Sequence, residues 1–253
     1  MEPQFYKGNR DAFMEKLAPG SLALFFSGVP VRKTADEDYA YFANRNFVYL
    51  TGMEQKDTIL MLEKDASGYR ETLFILPPNL IEERWTGARM KPEEIEAASM
   101  ISNFAYRDTF EEELKKVLAS GRIEKVYLDI DRMDGQVVVS GADSMETFLK
   151  QEYPNLLIEN SLPILRSCVL SRSLARFGRW KKRRRSQRPE ILAMMTHSKP
   201  GMYEYQYKAE YDYALAQHGV LEAGFPSIIS AGKIISASTI MVTGDRLWMG
   251  ISY

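Results

Sequence analysis

The side chains best suited to gripping a divalent metal lie late in the chain. Glu204, Glu210 and Asp212 fall within a helix predicted from Tyr203 to Gly219, with His197 before it and His218 near its end. Carboxylate oxygens and imidazole nitrogens are the donors of hydrolytic metal centres. Their spacing argues against such a centre. Only residues three or four apart meet on a helix, so Glu210 and Asp212 point to different faces. The expectation is a solvated helix surface with His197 and His218 at the protein surface. No catalytic residue, metal ligand or substrate-binding residue is assigned. Nucleophile elbow, phosphate loop and Cys–His pair are all missing from the sequence.

A second chemistry is offered by the run Arg176-Phe177-Gly178-Arg179-Trp180-Lys181-Lys182-Arg183-Arg184-Arg185. Cations interleaved with aromatic rings, here over residues 176–188, are what a nucleic-acid patch or a localisation signal uses. The whole chain does not share this bias. It has 33 basic and 34 acidic residues, a net charge of -1, which excludes a global attraction to nucleic acid or anionic membrane. A charge run is more often solvated surface, and no nucleic-acid partner is expected.

The elements that would position any site follow from the pattern. Asn9 or Asp11 can cap a helix through Leu17, stopped at Ala18-Pro19-Gly20. Ser21 to Ser27, Phe47 to Leu50, Thr58 to Leu62, Glu71 to Leu76 and Val126 to Ile130 read as strands. Helices are predicted from Pro92, from Phe110 to Leu118 behind Asp108 or Thr109, and from Ser144 to Gln151. Strands interleaved with helices imply an α/β domain with a mixed sheet. Cys168 is the only cysteine, which excludes an intrachain disulfide and fits a reducing compartment. Met1-Glu2-Pro3-Gln4 lacks a signal-peptide pattern, and no run approaches the ~20 apolar residues of a membrane span. A soluble, cytoplasmic protein is expected.

Several segments go further. Ala35-Asp36-Glu37-Asp38-Tyr39 precedes Asn46-Phe47-Val48-Tyr49-Leu50-Thr51-Gly52, and Glu83-Arg84-Trp85-Thr86-Gly87-Ala88-Arg89 follows. Together they resemble the amino-terminal domain of the Xaa-Pro aminopeptidases (aminopeptidase P), whose Trp-Asp-Gly-x-Arg turn here has Thr86 for Asp. Lys199-Pro200-Gly201-Met202-Tyr203-Glu204 and Phe225-Pro226-Ser227-Ile228-Ile229-Ser230-Ala231-Gly232 resemble the start of that family's catalytic domain. The resemblance implies a creatinase/prolidase-like mixed-sheet domain over residues 1–165 and a linker with the aberrant basic segment at 166–190. It also implies an incomplete α+β "pita-bread" fragment at 191–233 and an aberrant tail at 234–253. Exposed edges and poor local stability are expected of the fragment, and no packed structure of the basic segment or tail.

The family releases an amino-terminal residue that precedes proline, using two metals, usually manganese, held by two Asp, one His and two Glu. Its first domain shapes the substrate entrance and often mediates oligomerisation. None of those five ligands is placed in this chain, so an inactive, truncated product or a noncatalytic oligomerisation module is expected.

Two stretches depart abruptly from the family pattern, one from about Ser171 to Pro189 and one after Lys233. Both read as frame changes. Taken one base earlier, Trp248-Met249-Gly250 must give Asp-Gly, followed by a codon that can be Asp, because Trp and Met have one codon each. Permitted codons from Ile234 then restore the family's His-Tyr and Gly-Asp. The same shift over residues 175–189 permits an acidic helix.

Overall fold

Successive residues of the central strands belong to different cores, and this alternation organises the first part of the molecule. The structure, a computed structural model, describes residues 1–132, 139–170, 191–220 and 227–229. The chain divides into two units, Met1–Ser171 and Arg172–Tyr253.

In the first unit β1 (Ser21–Phe26) pairs antiparallel with β4 (Ile59–Asp65), which pairs antiparallel with β5 (Gly68–Ile75). Strand β7 (Lys125–Leu128) lies parallel to β1, and β8 (Leu157–Asn160) parallel to β7. The short β6 (Phe104–Tyr106) completes a six-stranded sheet, order β6-β5-β4-β1-β7-β8. A separate hairpin joins β2 (Arg32–Thr34) to β3 (Glu37–Asp38). The mixed α/β class expected from the sequence is the one observed.

Side chains alternate across a strand, so each apolar strand feeds both faces. Ala23 and Phe25, Leu60 and Leu62, Leu73 and Ile75 enter one core. Leu22 and Leu24, Ile59 and Met61, and Phe74 enter the other. A sheet covered on both sides needs apolar residues at every position, which explains the unbroken run Leu22-Ala23-Leu24-Phe25. The first face is covered by α1 (Pro3–Glu15), α2 (Arg45–Thr51), α4 (Pro92–Ser99) and α7 (Leu162–Leu170). The second is covered by α5 (Phe110–Ala119) and α6 (Gly141–Glu152). Helix α3 (Leu80–Thr86) buries no residue.

A polar clamp locks the first face. The Arg10 side chain is fully buried; its Nε and Nη2 donate to Glu71 at 2.7 and 3.1 Å. Nη1 donates to the carbonyl of Leu50 at 2.8 Å and Nη2 to that of Ser99 at 2.9 Å. Those carbonyls lie in the last turns of α2 and α4, which lack helical donors of their own. One guanidinium therefore neutralises its charge on β5 and satisfies two helix ends.

Several elements differ from the sequence expectation. Phe47 to Leu50, expected as a strand, belongs to helix α2. A short apolar run does not separate strand from helix by itself. Asn44 decides it, accepting from the backbone of Asn46 and Phe47 at 2.8 and 3.0 Å. At the other end Gly52 is left-handed (φ 77°), and a Cβ there would meet the Tyr6 ring at 2.4 Å. The Tyr-Leu-Thr-Gly motif is thus a helix end, with Thr51 Oγ1 donating to Phe47 and accepting from Met53 N–H.

Helix α1 starts at Pro3, ahead of Asn9 or Asp11, with proline in the first turn where its missing N–H costs nothing. Helix α6 starts at Gly141, because Ser140 and Asp143 form a capping box ahead of Ser144. The hairpin β2–β3, α3, β8 and α7 were not foreseen. Through α7 the first core extends to Leu165 and Cys168.

In the second unit residues 191–197 are helical, and a longer helix spans Glu204–Gln217, within the Tyr203 to Gly219 expected. Isolated β-bridge positions occur at Tyr203 and Ile228, the latter inside the strand expected at Ser227 to Ser230. Ser230, the basic run at 176–188 and the tail from Ile234 lie outside the described residues. No helix among the described residues is long and apolar enough to cross a membrane.

Candidate functional site

The described metal-donor residues are drawn apart. His197 Nδ1 lies 2.5 Å from Glu210 Oε2 on an exposed surface. Asp212, two residues on, pairs instead with Lys208. The two carboxylates serve different partners, as the helical spacing requires. Glu204 is buried, and His218 closes its helix at an exposed position. Among the described residues no three His, Cys, Asp or Glu side chains gather where a metal ion could sit. These described residues do not fit a two-metal set of two Asp, one His and two Glu.

The sequence motifs instead converge on a cleft in the first unit. Tyr39 and Tyr41, following the β2–β3 hairpin, line a space of about 360 Å³ together with Thr86, Gly87, Ala88 and Arg89. Segments from two motifs far apart in sequence therefore share one cleft. Asn79 starts α3 by accepting from the backbone of Ile81 and Glu82, both at 3.2 Å. Gly87 ends it at φ 89°, ψ 160°, a conformation open essentially to glycine alone. Thr86, where the family pattern has Asp, donates to Glu82 O at 3.1 Å and so closes the helix turn locally.

Charge holds this loop in place. Arg89 donates to Pro77 O and pairs with Glu82, which Lys56 also contacts at 2.8 Å. The Lys56 hydrogen bond holds the Glu82 carboxyl below the usual carboxylate range. Tyr41 Oη lies 3.0 Å from both Ser27 O and Gln55 O, tying the hairpin to the sheet, and burial pushes its phenol up.

Asp129 follows the last residue of β7 and is 6% exposed. Asn46 and Asn44 donate to its two oxygens at 2.9 and 3.1 Å. Burial raises its pKa above the ordinary 3.8, because the two neutral amides only partly replace water. Asp129 thereby couples the start of α2 to the sheet.

Exposed apolar side chains flank these segments in sequence. Trp85 is 86% exposed, Leu80 78% and Ile81 76%, on a helix that buries nothing. Tyr39 and Phe42 are also exposed, and the Arg45 guanidinium stacks 3.8 Å from the Phe42 ring. Large exposed apolar groups beside a charge-lined cleft are the anatomy of a recognition surface. Trp85 and Arg89 were legible as motif residues. Leu80 and Ile81 were missed, and their signal was Asn79 capping an apolar pair.

Residues 6–127 match the family described as Aminopeptidase P, N-terminal domain. They carry that domain. The Xaa-Pro aminopeptidase of Escherichia coli is 25% identical over 246 residues, covering 91% of this chain and 53% of that protein. A Bacillus anthracis protein assigned as an aminopeptidase P superposes with TM-score 0.92 at 25% identity, over 98% of this chain and 59% of its own. Escherichia coli aminopeptidase P, solved with the inhibitor Pro-Leu, superposes at 0.84 with 21% identity, over 98% of this chain and 56% of its own. A zinc-substituted form of that enzyme with product gives 0.82 at 22% identity, over 98% and 57%. This chain thus spans a little over half the length of these relatives. Tyr39, Tyr41 and the Thr86–Arg89 stretch that line the cleft all lie in the matched segment.

Proposed function

We propose that this 253-residue chain is the noncatalytic part of an Xaa-Pro aminopeptidase-type protein. In this reading the aminopeptidase P N-terminal domain guides peptides toward a catalytic domain and associates with other chains. Residues 191–233 carry only a partial piece of the catalytic domain. Manganese-dependent release of a residue preceding proline is the ancestral activity, and the chain by itself does not perform it. One observation carries this: the described donors His197, Glu210 and Asp212 are split between separate pairs, whereas the aromatic cleft of the first unit is fully assembled.

The exposed side chains of Leu80, Ile81 and Trp85 are where chains associate, since apolar groups open to water are stabilised by burial. A reducing, cytoplasmic setting is supported by the buried, unpaired Cys168. The frame reading of residues 175–189 and 234–253 belongs to the same proposal. Codons there that are incompatible with the shifted spelling remove it.

Purified chain assayed with manganese and an Xaa-Pro peptide is expected to give no turnover and to retain no manganese on gel filtration. Clear turnover, or two tightly held ions, overturns the noncatalytic reading. Mixing with a full-length relative, or comparing Trp85→Ser with the parent by sedimentation, tests association. An unchanged monomer in both cases removes that part.

A further inference from the structure

The second face of the sheet holds a cleft that none of the preceding chemistry uses. It occupies about 370 Å³ between α5 and α6, beyond the end of β1. That volume lies near the lower end of small-molecule sites, roughly 300–1,000 Å³, and suits a ligand of single-residue size. Phe26, Phe110 and Phe148 form its apolar lining. The rings of Phe26 and Phe110 meet edge to face at 6.4 Å, and Phe110 is anchored on Phe74 at 5.0 Å. The aromatic floor is therefore fixed before any ligand arrives.

Its polar groups are few and of both signs. Arg107 lines the cleft with its guanidinium 5.4 Å from the Phe110 ring centroid. Its Nε donates to Asp57 at 3.0 Å. That bond fixes the guanidinium and occupies only one edge. Among the described residues no acceptor reaches the two terminal nitrogens, the fork that binds a carboxylate through two parallel hydrogen bonds. Four positions on, Glu111 also lines the cleft, and its carboxylate pairs with no cation among the described residues. Ser144, on the α6 side, presents a hydroxyl with no hydrogen-bond partner among them.

We infer that this cleft binds a free α-amino acid with an aromatic or branched apolar side chain. The carboxylate is held by the open fork of Arg107, the ammonium by Glu111, and the side chain by Phe26, Phe110 and Phe148. Charge complementarity selects this class. Asp57 and Glu111 together outweigh one arginine, so a simple anion meets net repulsion, and a simple cation leaves the fork unused. A zwitterion satisfies both ends over an apolar floor. The inference is independent of whether the chain hydrolyses peptides.

Isothermal titration of the full 253-residue chain with L-phenylalanine and L-leucine tests it. Saturable binding is expected, weakened at least about tenfold for phenylalaninamide and for N-acetylphenylalanine, each lacking one charge. Arg107→Met is expected to abolish the preference for phenylalanine over its amide, and Glu111→Gln the preference over the acetylated form. Ser144→Phe, which fills the cleft from its exposed side, should remove binding while leaving the thermal midpoint close to the parent's. No binding of either amino acid overturns the inference. So does equal binding of amide, acetylated form and free amino acid, or binding that survives Ser144→Phe.

Discussion

Two arginines, one on each face of the sheet, pair with carboxylates to different ends. Arg10 has no exposed surface, and its donors are spent on Glu71 and on the carbonyls ending two helices. Arg107 has a side chain 29% exposed and spends only its Nε on Asp57. The first pair sits where α1, α2 and α4 close over β5, so every donor must find a protein acceptor. The second stands at the mouth of a cleft where water or a ligand can complete it. A guanidinium whose three nitrogens all donate within the protein holds a fold together, whereas one with an open fork is available for recognition.

The largest test of this contrast is Arg10→Ala. It leaves Glu71 without its cation and two helix-end carbonyls without donors, and is expected to cost about 3–5 kcal/mol. The urea midpoint measures it; a loss below ~1 kcal/mol would show that water replaces the clamp.

A smaller effect is expected from Asp129. Its folded pKa lies above the unfolded value, so its contribution to stability is fully present below pH 3.8 and is lost as pH rises through the folded value. The parent should lose stability over that interval relative to Asp129→Asn, which does not titrate. Parallel stability–pH curves for the two proteins would refute the buried-carboxylate account.

The smallest stability effect belongs to Arg107→Ala, expected within ~1 kcal/mol, because a partly exposed pair gains little over hydration. A cost matching that of Arg10→Ala would erase the distinction between the two faces.

Much of this was legible in the residues. The strand at Ser21, the helix from Pro92 and the helix from Phe110 followed from apolar spacing and turn residues, because those signals are local. Phe47 to Leu50 was misread, since four apolar residues carry no period. Asn44 and Gly52, on either side, held the deciding information. The aminopeptidase P motifs were readable as a resemblance, yet Asp38-Tyr39 and Thr86 to Arg89 gave no sign of lining one cleft. The spacing of Glu210 and Asp212 did foretell their separation, for helix geometry settles which side chains meet.

By itself the amino-acid sequence determined the mixed α/β class, most of the elements, the aminopeptidase P motifs and the separation of Glu210 from Asp212. Only the tertiary structure decided that Arg10 closes one face and that Arg107, Glu111 and Ser144 share a cleft on the other. The physical reason is distance along the chain. Propensity and periodicity act over a few residues, whereas a buried guanidinium or an open cleft depends on segments tens of residues apart that only the sheet brings into contact.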